Sequence, residues 1–182
     1  MSAPFRYIYE MSLPTVIGCL LILVLTWGIL RTLLLIRRQS LCRFFSWVLF
    51  CMWAVIAVYH TVFSRETRDP TYSIIPFSSY YMALFEGWVE KPRESFMNWL
   101  FFIPGGLWLP ELFSNKMQLK RKILLSVIIL FAMSLVIELT QFFFALGLAE
   151  TDDVIHNTLG AVTGSMFFFL FQWVKKRRSG ME

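Results

Sequence analysis

Residues 123–148 read ILLSVIILFAMSLVIELTQFFFALGL. The first fifteen of them, 123–137, hold no charged side chain. At 1.5 Å of rise per residue, a helix over the whole of 123–148 outruns the ~30 Å hydrocarbon core of a bilayer. The stretch therefore predicts a membrane-spanning helix, and Glu138 and Gln141 are the exceptions that need explaining. The rest of the chain agrees with this choice of solvent. Of 182 residues, 57% are hydrophobic and only 16% charged, where a soluble domain carries roughly a quarter.

Four more apolar runs flank this one, at 13–30, 44–63, 97–113 and 154–174. Pro14 suits a first helical turn. The first run is too long for a signal-peptide core, and Arg31, Arg37 and Arg38 follow it, so it reads as an uncleaved anchor. The 97–113 run is short and holds Pro104, Gly105, Gly106 and Pro110, which argues against a regular helix there. The expectation is a single all-α domain over 1–182, polytopic, with about five transmembrane helices.

Lys and Arg in the connections orient such a chain. Twelve would lie on one side: Arg31, Arg37, Arg38 and Arg43, then Lys116, Lys120, Arg121 and Lys122, then Lys175, Lys176, Arg177 and Arg178. The other side has five: Arg6, Arg65, Arg68, Lys91 and Arg93. This bias predicts the N-terminus out and the C-terminus in, which requires an odd number of spans. Residues 64–96 then form an outer connection. It is too aromatic for a solvated loop, and it is expected to lie on or dip into the outer interface.

A carboxyl at mid-bilayer costs about 2.5–3.5 kcal/mol on insertion scales. Glu138 must therefore meet a partner or a wet cavity. Gln141 and Ser134 share its helix face. In the last run Thr151 suits an N-cap, with Asp152 and Asp153 in the first turn, where the helix dipole favours anions. Asp153 and Asn157 are i, i+4 neighbours, and Gly160 with Gly164 makes a GxxxG packing face. Gly105 and Gly106 are candidates for close packing in the 97–113 run. Asn98, Glu138, Gln141, Asp152, Asp153, Asn157, Arg65 and Arg68 all fall toward the outer side. They compose a candidate ligand-binding site: Glu138, Gln141 and Asn157 as its inner wall, Asp152 and Asp153 as an acidic rim, Arg65 and Arg68 as basic partners. The plainer alternative is hydrogen-bond glue between helices.

Other classes find little support. The net charge of +5 reports topology, since no zinc knuckle, helix-turn-helix or RNA-binding pattern accompanies it. Cys19, Cys42 and Cys51 lack metal or disulfide spacing, and His60 and His156 lack a partner at metal spacing. No metal or cofactor is expected from the residues, and although histidine, acid and serine elements of a hydrolase are present, their spacing does not show a triad.

Three blocks, NWLFFIPGGLWLP (98–110), VIELTQFFFALG (136–147) and TDDVIHNTLGAVTG (151–164), together resemble the VanZ family. The shared positions are Asn98, Pro104 and Gly106; Glu138 and Gln141; and Asp153, Asn157, Thr158, Gly160 and Gly164. Weaker matches are Arg65, Pro76 and Phe77, and the resemblance covers about 63–171. The chain departs from the family in Gly105, where a Phe is usual, and in the lack of an Arg within 145–151. The resemblance implies a multi-pass bacterial plasma-membrane protein. It also implies a context of glycopeptide resistance, because the namesake is associated with resistance to the lipoglycopeptide teicoplanin. Implied partners are membrane lipid and either a glycopeptide antibiotic or a lipid-linked envelope precursor. Two alternatives stand beside this: an intramembrane hydrolase or transferase acting on a lipid-linked or cell-wall substrate, and a structural membrane subunit.

Overall fold

A computed structural model describes residues 22, 25–29, 39–63, 65, 67, 71–87 and 90–179. Contacts divide the chain into two compact units, Met1–Cys42 and Arg43–Glu182. In the first, residues 22, 25–29 and 39–42 are helical. The second holds nearly all the described structure. Helix α1, Gln39–Val58, begins at the boundary and continues as a π turn, Tyr59–Phe63. Strand β1 is Thr71–Ser73, α2 is Ser78–Glu86 and α3 is Glu90–Leu112. Helix α4 is Leu119–Phe143, β2 is Leu148–Glu150 and α5 is Thr151–Ser179.

The fold is all-α apart from a three-residue ladder. Three described helical segments, Ser40–Phe63, Leu119–Phe143 and Thr151–Arg177, are long and apolar enough to cross a membrane. The apolar run at 13–30 lies largely outside the described residues, and α3, which holds the 97–113 run, is not among the three. Many large hydrophobic side chains on α4 and α5 point outward, including Leu124, Val136, Met166 and Leu170. Such a surface is stable against lipid and costly against water.

The expectation of irregular backbone in the 97–113 run is corrected: α3 is one continuous helix with Pro104 and Pro110 inside it. A proline removes one N–H and strands the carbonyl four residues earlier. In a membrane, neighbouring side chains can supply the missing donor. For Pro110 that carbonyl belongs to Gly106, and the Ser165 hydroxyl of α5 donates to it at 3.1 Å. Near Pro104, the Trp53 indole Nε1 of α1 donates to the Phe101 carbonyl at 2.8 Å. Trp53 is buried, meets Phe102 edge-on at 5.4 Å and lies over Gly105, where an added Cβ would come to 2.5 Å from the ring. Trp53→Phe is expected to lower stability by about 1–2 kcal/mol, the worth of that hydrogen bond plus a small packing defect. The thermal midpoint of the detergent-solubilised protein measures it.

Helices α3 and α5 touch backbone to backbone. A Cβ on Gly106 would fall on the Ala161 carbonyl, one on Gly160 on the Trp99 carbonyl, and one on Gly164 on the Ile103 carbonyl. The Trp99 indole adds a hydrogen bond to the Thr163 hydroxyl at 3.1 Å. Interfaces of this kind are the membrane solution to helix association, because lipid offers no hydrophobic drive between helices.

The connections fix which helix ends lie together. Arg43, early in α1, donates to Asn115 between α3 and α4 at 2.7 Å, at one end of the bundle. At the other end β1 pairs in parallel with β2, Thr71 opposite Leu148 and Ser73 opposite Glu150. That ladder gathers α2, the end of α4 and the start of α5.

Candidate functional site

The site is built where α4 meets the first turns of α5. On α4, Ser134, Glu138 and Gln141 recur at helical spacing and are all buried. The Asn157 amide of α5 donates to the Ser134 hydroxyl at 2.8 Å. One turn further along, Glu138 is 6% exposed and its carboxylate accepts the Glu150 backbone N–H at 3.0 Å. Among the described residues, Asp153, Arg65 and Glu150 are the charged groups near enough to act on Glu138. The Gln141 amide donates to the Thr61 carbonyl in the π turn that ends α1, at 3.0 Å. A π turn frees a backbone carbonyl from the regular ladder, and here a side chain of α4 uses one.

Among the described residues, two acceptors of this seam have no donor: Gln141 Oε1 and Asn157 Oδ1. Both residues are buried almost completely. A buried carbonyl oxygen without a donor costs about 1–3 kcal/mol, so the seam has the capacity to take hydrogen-bond donors.

Asp152 and Asp153 are adjacent on α5, and helical geometry turns them about 100° apart. Asp153 belongs with Glu138. Asp152 goes the other way, toward α2. The sequence places Asp152 on an acidic rim; in the structure its side chain is fully buried. One oxygen accepts the Phe77 N–H. The other accepts the Ser79 N–H at 2.9 Å and the Ser79 hydroxyl at 2.6 Å, with the Ser78 hydroxyl at 3.5 Å. A carboxylate from α5 thus satisfies the orphan donors that open α2. Phe77 adopts a left-handed conformation, φ 62°, unfavourable for a bulky residue, and its N–H is one of those that Asp152 holds.

His156 lies one turn after Asp152. Its Nδ1 is 2.7 Å from the Asp152 backbone carbonyl, which can only accept. In the neutral imidazole the proton therefore sits on Nδ1, and Nε2 accepts from the Tyr80 hydroxyl at 2.8 Å. The two rings stack at 5.7 Å. The Ser95 hydroxyl of α3 reaches Ser79 at 3.3 Å.

The remaining candidates distribute as follows. Arg65 is half-buried, with its guanidinium beside Gly147, where a Cβ would lie 3.1 Å from it. Gly147 has φ 126°, so that approach depends on a residue without a side chain. Asn98 is half-buried on α3 and makes no side-chain hydrogen bond to the seam among the described residues. Arg68 lies outside the described residues. The working roles of Ser78, Ser79, Ser95, Tyr80 and His156 escape a reading of the sequence. One signal for His156 was available, its i, i+4 spacing from Asp152.

A family model described as VanZ/LLP1 matches residues 41–172 of the chain. No curated protein and no solved structure matches it.

Proposed function

The chain belongs to the VanZ/LLP1 family, and from that premise we propose that it handles an amphiphilic ligand at the outer leaflet of the bacterial plasma membrane, limiting the action of a glycopeptide such as teicoplanin. The proposed topology has five spans, N-terminus out and C-terminus in. This puts the basic ends of α4 and α5 in the cytoplasm and the Glu138 seam toward the outer face.

The observation that carries this reading is the Glu138–Asp153 carboxyl pair with Arg65, flanked by the oxygens of Gln141 and Asn157 that find no donor among the described residues. A group of acceptors inside a membrane bundle suits a ligand that brings donors. A lipoglycopeptide offers hydroxyl and amide donors together with an acyl chain that the bilayer can hold. Ionisable residues inside a membrane domain are kept against their insertion cost, and function is the default reason.

The test is a double substitution, Glu138→Gln with Asp153→Asn, which keeps shape and removes both carboxyl groups. In a bacterium made teicoplanin-tolerant by the wild-type chain, the variant is expected to return the inhibitory concentration to the level of cells without the protein, with normal amounts in the membrane. Tolerance retained at normal abundance counts against the site.

A hydrolase or transferase acting on a lipid-linked substrate is a second reading, favoured by the Tyr80–His156 pair. It offers an imidazole nitrogen 2.8 Å from a phenol oxygen, within the reach that proton transfer requires. A new lipid product in expressing cells, lost in His156→Gln, would favour it.

A further inference from the structure

Helix α2 is inside out for a protein in water. Its buried residues are the serines Ser78 and Ser79, with Ser79 only 1% exposed. Its large apolar side chains face outward: Leu84 is 80% exposed and Phe85 73%, and Tyr81 and Phe85 pack against each other with ring centroids 4.7 Å apart. The approach to the helix continues the same surface, with Ile74 and Ile75 each about as exposed as Phe85. Within residues 71–87 the only charged side chain is Glu86. Such a face needs an apolar neighbour.

With nine residues, α2 is far too short to span a bilayer. Its height is set by three connections. The β1–β2 ladder puts Tyr72 opposite Ala149, between the end of α4 and the start of α5. The Tyr72 ring meets Phe142, in the last turn of α4, at 5.8 Å. The Asp152 carboxylate, in the first turn of α5, holds the α2 N-terminus. All three lie at the ends of membrane-capable helices, where hydrocarbon gives way to headgroups. At that level Phe143 and Phe144 are exposed, and ring contacts run from Tyr72, on the approach to α2, through Phe142 to Phe143.

We propose that α2 is an interfacial helix, seated with Ile75, Tyr81, Leu84 and Phe85 in the headgroup–acyl boundary of the bilayer and tethered to the bundle through Asp152. The occupant of the exposed face is lipid. The continuity of that face with the lipid-facing ends of α4 selects lipid over a protein partner, and aromatic side chains are the residues that favour this depth. The seat does not depend on the glycopeptide reading or on which leaflet is involved. The Asp152 tether joins it to the helix turn that also carries Asp153, so bilayer and seam bear on one turn of α5.

Depth measurements on the full chain in phosphatidylethanolamine–phosphatidylglycerol vesicles test this. A nitroxide is placed at Leu84→Cys, Phe85→Cys or Ile75→Cys, with Cys19, Cys42 and Cys51 changed to Ala. Lys116→Cys, in the turn between α3 and α4, reports water, and Leu135→Cys, on the outward face of α4, reports hydrocarbon. The ratio of oxygen to nickel-chelate collisions at the α2 sites is expected to be several-fold above that at 116 and below that at 135. A ratio equal to that at 116 overturns the proposal. So does exclusion of both relaxants, which would mean that a protein partner or a second copy covers the face. In parallel, benzoylphenylalanine replaces Phe85 in a chain that keeps its cysteines. Its photoadduct is expected to carry the mass of a phospholipid, and a protein adduct or no adduct overturns the seat.

Discussion

Gly164→Ala is expected to leave little folded protein in detergent extracts, and Gly106→Ala and Gly160→Ala to behave similarly. The added methyl at Gly164 would land on the Ile103 carbonyl and within 3.0 Å of two α3 backbone atoms, Leu107 N and Gly106 C. Overpacking that side chains can absorb costs about 1–3 kcal/mol. Here the obstacle is main chain inside a continuous helix, which yields only if α3 and α5 separate. A loss of about 3 kcal/mol or more follows, a large share of the 5–15 kcal/mol that holds a typical domain together. Separation would also break Ser165 from the Gly106 carbonyl and Trp99 from Thr163, adding a stranded acceptor at the proline-interrupted ladder. Fluorescence-detected size exclusion of a tagged protein, followed by its thermal midpoint, measures the effect. Gly28→Ala is the control, since a Cβ there meets nothing within 4 Å. A wild-type midpoint for Gly164→Ala would mean that the two helices do not approach this closely.

Asp152→Ala is expected to cost about 3–5 kcal/mol, the usual penalty for deleting one member of a buried charged network. The carboxylate accepts from two backbone N–H groups and from the Ser79 hydroxyl, and hydrogen bonds to a charged group are worth about 1.5–3 kcal/mol each. Alanine strands these donors at the start of α2 and leaves the N–H of Phe77, a residue in a left-handed conformation, without its acceptor. Asp152→Asn keeps a carbonyl acceptor and should lose less. The loss should be local before it is global: amide exchange in residues 77–86 should rise well above that in α4 at temperatures where the bundle remains intact. Unchanged protection of α2 in Asp152→Ala would overturn the tether.

These two predictions depend on different amounts of sequence information. The GxxxG of Gly160 and Gly164 announces a close helix contact by spacing alone, but not its partner. That partner is the Pro–Gly–Gly region of α3, whose composition argues against a helix. The reading failed there because it weighed only what proline removes. The replacement donor for Pro110 comes from Ser165 on α5, and Trp53 on α1 adds a donor beside the carbonyl that Pro104 strands, both distant in sequence. Asp152 shows the same limit from the other side. Two consecutive aspartates in a first turn read as helix capping for their own helix. Nothing local says that one turns to Glu138 and the other to the N-terminus of α2, more than seventy residues earlier in the chain.

The sequence by itself determined the solvent, the class and the question. Long apolar runs dictate helices in lipid, since hydrocarbon tolerates no unpaired backbone. Block order carried the family, and the charge of Glu138 marked the seam, because an acid in that setting must be answered by something. Only the tertiary structure decided the answer: Glu150 N–H, Asp153 and Arg65 around one acid, two amide oxygens without donors among the described residues, and a short aromatic helix turned inside out. Periodicity and composition act over a few neighbouring residues. Hydrogen-bond partners, by contrast, are chosen in three dimensions among groups that the chain brings together only when it folds.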